Sequence, residues 1–280
     1  MELQPAKSSI VIVTFNSMTT LERCVSSVLN ETADSTEIIF VDNGSADGTA
    51  AFLKELATGT PRATIICNDD NLGYAAAANI GVRETCGEFV VLLNPDTVVR
   101  SGWLNQMQKV FRLPKVGAVG PLSNYTAGQQ YVEFHIPKQG DNRLNYDQLH
   151  EMVRERNCGQ SVGTKLIIGY CMMLSRKALE EVGLLDEELF LGCDDFDYCW
   201  RLRYHGYQLR VATDTFVEHV GHVSFKTLPA EDTQRMLAAS NIAFAKKLEA
   251  QYGRGNVPTS EELFGINIFT PPYDLWPGKT

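Results

Sequence analysis

Asp96, in the segment LLNPDTVV at residues 92–99, is the acid best placed to take part in chemistry. The apolar run that ends at Leu93 has the pattern of a buried strand, and Asp96 follows it after an asparagine and a proline. Because a buried carboxylate is costly unless its charge is compensated, Asp96 is either a turn residue that faces water or a ligand that waits for a cation. Mn²⁺ and Mg²⁺ prefer oxygen ligands and often take one or two carboxylates together with phosphate oxygens.

Two adjacent acids open the segment DDFDYCWRLRYHG, which has the pattern of a helix that ends at Gly206. Asp194 and Asp195 either cap this helix or provide a general base. The helix dipole favours the ionised form of an acid in the first turn. We therefore expect a lowered pKa for Asp195, which makes it a weaker base than one tuned near neutral pH. Asp194 is the spare carboxylate that a retaining double displacement would use as its nucleophile.

Two histidines in the segment FVEHVGHVS could add a ligand to a cation site. Imidazole is a common metal ligand, and either His219 or His222 could supply it. The other interpretation is that the histidines are structural, since an H-x-x-H pair on an extended strand points to opposite faces.

The segment DNGSADGT follows an apolar run and offers acceptors for a nucleotide. Asp42 could accept hydrogen bonds from the N–H of a base or from a ribose hydroxyl, and Asn71 and Asn79 could add amide contacts. The competing interpretation is that the segment caps a helix. Dinucleotide and P-loop sites are poor candidates, because the turn TFNSMTT lacks the glycine-rich patterns that both require.

Four short apolar runs must position these residues: SSIVIVT, TEIIFVD, ATIIC and EFVVLLN. They are rich in Ile and Val, as strands buried on both faces are, and helical patterns separate them. This alternation predicts an α/β fold with a mostly parallel central sheet flanked by helices. Ligands of such sheets bind at the carboxyl ends of the strands, where Asp42 and Asp96 lie.

The second half of the chain has a less regular pattern. Its predicted elements are a helix over 102–112, a strand over 116–120, loops with one helix near 145–156 within 122–165, a strand over KLIIGYCMMLS, a helix over RKALEEVG that ends at Gly183, the acidic helix, a strand pair near 207–219 and a helix near 230–251.

No clean linker divides the chain, so we expect a single domain over residues 1–253. Its nucleotide-binding half is 1–100 and its acceptor half is 101–253. Residues 254–280 form a tail rich in proline and aromatic residues. We expect this tail to pack as a small helical or extended extension and to be a candidate interface for a homodimer.

Composition narrows the functional classes. The 280 residues carry a formal net charge of -9, which repels phosphate backbones and argues against a nucleic-acid partner. The longest apolar run, LIIGYCMML, is about half as long as a membrane span. Seven cysteines without a C-x-x-C pair, and an N-terminus without the pattern of a signal peptide, favour a reduced, cytoplasmic protein.

Five segments, in this order, resemble the motifs of glycosyltransferase family 2: IVIVTFN, EIIFVDNGSADGT, NLGYAAAANIG, GEFVVLLNPDT and DDFDYCWRLRYHGY. The resemblance covers about residues 8 to 225. It implies a GT-A fold and the transfer of a sugar from a UDP-, dTDP- or GDP-sugar, with Mn²⁺ or Mg²⁺ and with inversion. The implied acceptor is a hydroxyl of a glycan, a lipid-linked glycan or a protein.

The resemblance also implies roles for individual residues. Asp96 would bind the metal, Asp195 would be the base, and Asp194 stands where the family usually has a glutamate. His219 and Ser224 have the spacing at which the family often places a histidine, here as a second metal ligand. The nucleotide contacts that we predict are Thr14, Asn16, Asp42, Asn43, Asn71, Gly73, Asn79 and Asn94.

The family pattern is altered at Asn94, which replaces the first acid of the acid-x-acid motif, so a cation would be held by one fewer charge. The Q-x-x-R-W motif of processive synthases is missing, which favours the transfer of one sugar per encounter. Within the family the chain resembles the non-processive, rhamnosyltransferase-like bacterial type. One alternative is a pseudo-enzyme that binds a nucleotide sugar without turnover. A nucleotidyltransferase is a weaker alternative. It needs a basic, glycine-rich loop after the first strand, which the turn TFNSMTT lacks.

Overall fold

A computed structural model describes residues 7–136, 144–221 and 229–266 of the chain. The strands are β1 (Ser8–Thr14), β2 (Glu37–Asn43), β3 (Ala63–Asn68), β4 (Phe89–Leu93), β5 (Thr97–Val98), β6 (Val116–Leu122), β7 (Ser161–Thr164), β8 (Cys171–Ser175), β9 (Gln208–Phe216) and β10 (Glu218–His219). The helices are α1 (Met18–Glu31), α2 (Thr49–Gly59), α3 (Tyr74–Arg83), α4 (Trp103–Val110), α5 (Tyr146–Arg156), α6 (Arg176–Val182), α7 (Asp194–Tyr204), α8 (Ala230–Tyr252) and α9 (Ser260–Phe264).

Eight strands form one sheet in the order β3-β2-β1-β4-β8-β6-β9-β7. The first four are parallel to one another, and β6 is parallel to β9. Strand β8 runs antiparallel to both of its neighbours, and β7 runs antiparallel to β9. The prediction of an α/β fold with a mostly parallel sheet is confirmed.

The apolar runs form strands whose side chains are buried on both faces of the sheet, because helices cover both faces. Every residue of β1 is buried. Its side chains alternate between two core layers, with Val11 and Val13 in one and Ile10 and Ile12 in the other. On the first face, α3 lies so close to the sheet that a Cβ on Gly81 would stand 2.5 Å from Cγ1 of Val11.

The structure corrects one predicted strand boundary and adds one strand. In KLIIGYCMMLS the strand begins at Cys171, and residues 165–170 are irregular. Their backbone donors bond side chains in place of a strand, since Ile167 N–H donates to Cys199 Sγ and Ile168 N–H donates to Gln130 Oε1. The region 122–165 also contains β7, which the sequence pattern did not indicate.

The predicted strand pair near 207–219 does not form a hairpin. Strand β9 joins the large sheet, whereas β10 pairs antiparallel with β5 in a separate two-stranded sheet. In that small sheet His219 pairs with Thr97. The pairing brings the second half of the chain to the residue that follows Asp96.

The C-terminal part returns to the core. Helix α9 buries Leu263 and Phe264, and Phe264 contacts the rings of Phe196 and Phe244. The rest of the predicted aromatic tail, from 267 onward, lies outside the described residues. Within the described part of the chain, no helix is both long and apolar enough to cross a membrane.

Candidate active site

Asp96 and His219 form a buried pair beyond the end of β4. The Asp96 side chain is 4% exposed, and its Oδ1 lies 3.4 Å from Nε2 of His219. Asp96 Oδ2 accepts a hydrogen bond from Gly221 N–H at 3.2 Å. Among the described residues, Oδ1 has no hydrogen-bond partner.

The hydrogen bonds of His219 define which ring nitrogen faces Asp96 without a proton. Nδ1 lies 2.8 Å from the backbone oxygen of Tyr125. A carbonyl oxygen only accepts, so Nδ1 carries the proton in the neutral ring and Nε2 presents its lone pair. Metal-binding histidines usually donate their other N–H in this way.

This pair fits a divalent cation. Two lone pairs that face each other in a buried site need a shared proton or a cation between them. Adjacent ligands of an octahedral ion with bonds of about 2.1 Å stand about 3 Å apart, close to the 3.4 Å found here. In the described part of the chain no group of three His, Cys, Asp or Glu side chains is placed to hold a metal, so further ligands would come from substrate or water.

The backbone of His219 is held by several contacts. Its N–H donates to Asn124 Oδ1, and its carbonyl accepts from Asn124 Nδ2, both at 2.9 Å. Next to it, the buried Glu218 accepts from Arg100 Nη2 at 3.0 Å and pairs with Arg23. Arg100 also donates to the backbone oxygen of Val98. Its guanidinium thus joins the two strands of the small sheet.

Asp195 lies in the first turn of α7 and is oriented by two backbone donors. Its Oδ2 accepts from Gly169 N–H at 3.0 Å and its Oδ1 from Phe196 N–H at 2.9 Å. An ionised carboxylate has about four acceptor positions, so these bonds do not use its full capacity. The carboxylate is therefore fixed in direction while remaining able to accept a proton.

The expected lowering of the pKa of Asp195 is wrong. Burial raises the pKa of Asp195 to about 6, although the N–H groups of Gly169 and Phe196 oppose the shift. Burial, and then the charge of Asp195, raise the pKa of Asp194 to about 8. Desolvation of the carboxylates outweighs the helix N-terminus, so near neutral pH Asp195 is mostly ionised and Asp194 is mostly protonated.

Two residues that the sequence interpretation missed connect Asp195 to the Asp96–His219 pair. Gly169 holds Asp195, and the next carbonyl, that of Tyr170, accepts from Asn94 N–H at 2.9 Å. The Tyr170 ring stacks on the His219 ring with centroids 4.9 Å apart and planes 16° apart. The available signal was the Gly-Tyr interruption of an otherwise aliphatic run.

The predicted nucleotide residues gather at the ends of the parallel strands. Thr14 pairs with Asp42 across β1 and β2, and its hydroxyl donates to Asp42 Oδ1 at 3.0 Å. Asp42 Oδ2 accepts from Ser45 N–H. Asn16 has a left-handed backbone with φ 47, and its Oδ1 accepts from Ala46 N–H. These bonds shape the two turns that follow β1 and β2.

Asn43 organises the neighbouring loop. Its Nδ2 donates to Asn71 Oδ1 at 2.9 Å and to the Gly73 carbonyl at 3.2 Å. Its Oδ1 accepts from Asn68 Nδ2 and from Leu72 N–H. Asn43 and Gly73 therefore hold the loop, and no hydrogen bond to the described residues uses Nδ2 of Asn71.

Asn79 does not belong to this group. It is 1% exposed, its Nδ2 donates to the Leu185 carbonyl and to Glu187 Oε1, and its Oδ1 accepts from Leu185 N–H. Both of its donors are used within the protein, so we remove it from the nucleotide contacts. By contrast, no hydrogen bond from the described residues reaches the side chain of Asn94. His222 lies outside the described residues.

The mostly parallel sheet flanked by helices matches the fold of solved GT-A glycosyltransferases. Residues 9–183 match the family model described as Glycosyl transferase family 2, and the chain belongs to that family.

Two curated relatives cover most of the chain. Glycosyltransferase AglE of Haloferax volcanii is 26% identical over 218 residues, which are 75% of this chain and 66% of the relative. The N-acetylglucosaminyl-diphospho-decaprenol L-rhamnosyltransferase of Mycobacterium tuberculosis is 25% identical over 238 residues, 76% of each chain. Two further relatives are covered over 23% and 38% of their lengths. The chain thus spans less than two thirds of several curated relatives.

Among solved structures, mannosyltransferase PcManGT from Pyrobaculum calidifontis in complex with GDP-Man and Mn²⁺ has a TM-score of 0.61 at 18% identity. That match covers 90% of this chain and 66% of the other. GalNAc-T7 with UDP, GalNAc and Mn²⁺ has the same TM-score of 0.61 and covers 76% of this chain and 44% of the other. Both matches show the shared fold.

Proposed function

We propose that this glycosyltransferase moves one sugar from a UDP-, dTDP- or GDP-sugar to a hydroxyl of a glycan, a lipid-linked glycan or a protein. Transfer inverts the anomeric centre and needs Mn²⁺ or Mg²⁺. The observation that carries the proposal is the facing pair of Asp96 Oδ1 and His219 Nε2, buried and 3.4 Å apart.

In this proposal Asp96 and His219 would hold the cation, and the donor diphosphate would supply further oxygen ligands. When bound, the cation neutralises the charge that develops on the departing diphosphate. Asn94, in place of a second acid, leaves the protein with one carboxylate in this pair. The two structural neighbours named above, which carry a nucleotide and Mn²⁺, support this assignment.

The proposed base is Asp195, which takes the proton from the acceptor hydroxyl as that oxygen attacks the anomeric carbon. A retaining route would need Asp194 as an ionised nucleophile, but burial and the charge of Asp195 raise its pKa to about 8 and keep it protonated near neutral pH. One ionised carboxylate supports single displacement, which inverts the centre.

The nucleotide would bind at the ends of β1 to β4, with Asp42, Asn16, Asn71 and Asn94 as contacts and Thr14, Asn43 and Gly73 holding the loops. We assign the donor to residues 1–100 and the acceptor to 101–253 within a single domain. The proposed site of action is the cytoplasm.

Donor turnover in three variants tests the proposal. Asp96→Asn should lose metal-dependent binding of the donor as well as turnover. Asp195→Asn should keep that binding but lose about 10²–10⁴-fold in turnover, the usual contribution of a general base. Asp232→Asn changes a half-exposed acid of α8 that pairs with Arg235. It serves as the matched control and should behave like the wild type.

Release of nucleotide from UDP-, dTDP- and GDP-sugars is the readout, with and without simple glycan acceptors and with Mn²⁺, Mg²⁺ or chelator. Wild-type protein that binds a donor but releases no nucleotide under any condition would favour a nucleotide-sugar-binding pseudo-enzyme.

A further inference from the structure

The irregular segment that precedes β8 contacts both halves of the site. Gly169 and Tyr170 are consecutive, and between them they contact the base, the Asn94 backbone and the His219 ring. We infer that Tyr170 is a positioning residue that fixes the ring orientation and tautomer of His219, and that Gln130 anchors Tyr170 in that role. The importance of this for catalysis rests on the proposed metal-assisted function, whereas the structural effect on His219 does not.

Three attachments hold Tyr170 in place. Its hydroxyl donates to the Pro121 carbonyl at 2.7 Å, its own carbonyl accepts from Asn94 N–H at 2.9 Å, and its ring is fully enclosed in the core. A ring fixed at both ends can serve as a rigid surface. The His219 ring lies on that surface, nearly parallel to it, at 4.9 Å between centroids.

Gln130 is the buried anchor for this arrangement. Its Nε2 lies 3.2 Å from both the Tyr170 hydroxyl and the Pro121 carbonyl, and its Oε1 accepts from Ile168 N–H at 2.6 Å. The side chain thus bonds the same carbonyl as Tyr170 and also holds the backbone two residues before it. A Cβ on Gly120 would stand 2.5 Å from Gln130 Nε2, so the strand has a glycine where this amide crosses it.

The consequence for His219 follows from two of the contacts that restrain its ring. The bond from Nδ1 to the Tyr125 carbonyl fixes one edge of the imidazole, and the stack on Tyr170 fixes its plane. With both present, Nε2 must face Asp96 Oδ1. Without the stacked ring, the imidazole can rotate away from the Tyr125 carbonyl and populate the other tautomer, which carries its proton on Nε2.

Histidine NMR tests this directly, because it reads the tautomer and the ring stacking without turnover. The protein labelled with ¹⁵N at its five histidines is measured near pH 8, above the ordinary histidine pKa of about 6.5. His219→Gln assigns the signal. In the wild type, His219 should show protonated Nδ1, bare Nε2 and ring protons shifted upfield by the Tyr170 ring.

Two substitutions separate the ring from the hydroxyl. Tyr170→Phe retains the stacked ring, so the His219 signals should stay close to those of the wild type. Tyr170→Leu removes the ring, so the upfield shift should disappear and the ¹⁵N shifts should indicate a mixture of tautomers. Phe244→Leu, which removes a buried ring of α8, controls for general loss of packing and should leave His219 unchanged.

Signals of the other histidines report whether Tyr170→Leu still folds. Unchanged tautomer and shifts of His219 in folded Tyr170→Leu would overturn the inference. Addition of Mn²⁺ with UDP provides a separate result, since a bound ion should broaden the wild-type His219 signal first. If the ion leaves His219 sharp while Tyr170→Leu still alters its tautomer, the metal proposal fails and the positioning role stands.

Discussion

At the scale of single residues, the decisive property is the protonation of the two acids of α7. Burial raises the pKa of Asp195 to about 6 and that of Asp194 to about 8. The general base must be ionised, so kcat/KM should rise with pH through about pH 6 and then level off. A pH profile of kcat/KM, which reports the free enzyme, measures this. A profile that stays flat down to pH 5 would exclude Asp195 as the group that titrates.

Asp194 gives a prediction about stability. Its folded pKa lies above the unfolded value of about 3.9, so its contribution to stability is complete below pH 4 and is lost as the pH rises towards 8. Asp194→Asn removes this loss. The variant should be more stable than the wild type by about 1–3 kcal/mol at pH 8, allowing for partial exposure of the carboxyl.

Urea unfolding of both proteins at pH 5 and pH 8 measures the difference. The advantage of Asp194→Asn should be larger at pH 8. An advantage of equal size at both values would mean that the side chain does not titrate in this range.

Sequence alone could identify these acids but not their pKa values. The order of Asp194 and Asp195 before an amphipathic pattern predicted the helix start, yet the burial that raises both pKa values depends on packing from distant segments. The Gly169 N–H, which opposes the shift of Asp195, also comes from a different segment. The prediction that Asn79 contacts the nucleotide failed for a similar reason. Its nearness to Asn71 in the chain did not reveal that its helix turns it toward Leu185.

At the scale of elements, the small sheet of β5 and β10 brings His219 next to Asp96. Four residues form it, so side chains must supply much of its stability. Arg100 does so by contacting Glu218, Asp147 and the Val98 carbonyl. Arg100→Lys keeps the charge but loses the planar fork, so it should weaken Mn²⁺ activation several-fold while leaving the pH midpoint unchanged.

Arg62→Lys is the matched control for this change. Arg62 makes a similar set of bonds with carbonyls at the end of α1, among them those of Leu29 and Ala33. It should lower stability and leave the Mn²⁺ dependence unchanged. Equal effects of both substitutions on Mn²⁺ activation would show that Arg100 acts through general stability.

Element prediction succeeded where periodicity dictates structure and failed where side chains replace the backbone ladder. The apolar pattern alone was enough to predict strands β1, β2 and β4. Residues 165–170 look equally strand-like, but Gln130 and Cys199 take up their N–H groups. The two-residue strands β5 and β10 are too short for any pattern.

At the scale of the whole molecule, helix α8 holds α7 in place through an ion pair. Lys247 bonds the buried Asp197 and lies 2.5 Å from Asp186 Oδ2. Asp197 is also paired with Arg201. Lys247→Met should destabilise the fold by about 2–3 kcal/mol, because it leaves the buried carboxylate with one cationic partner.

Urea unfolding compares this variant with Lys246→Met, an exposed neighbour on the same helix. Lys246→Met should change stability by less than about 0.5 kcal/mol. A similar, small effect of both substitutions would mean that Lys247 adds nothing to the attachment of α7.

In the proposed mechanism, Asp96 and His219 hold a catalytic cation together with the donor. The most direct measurement is an EPR titration of free Mn²⁺ in the presence of wild type, Asp96→Asn or His219→Gln, with and without UDP. The wild type should bind one Mn²⁺, more tightly when UDP is present, because two protein ligands leave positions for phosphate oxygens. Both variants should lose this UDP-dependent binding. Equal Mn²⁺ binding by the wild type and Asp96→Asn would contradict the claim.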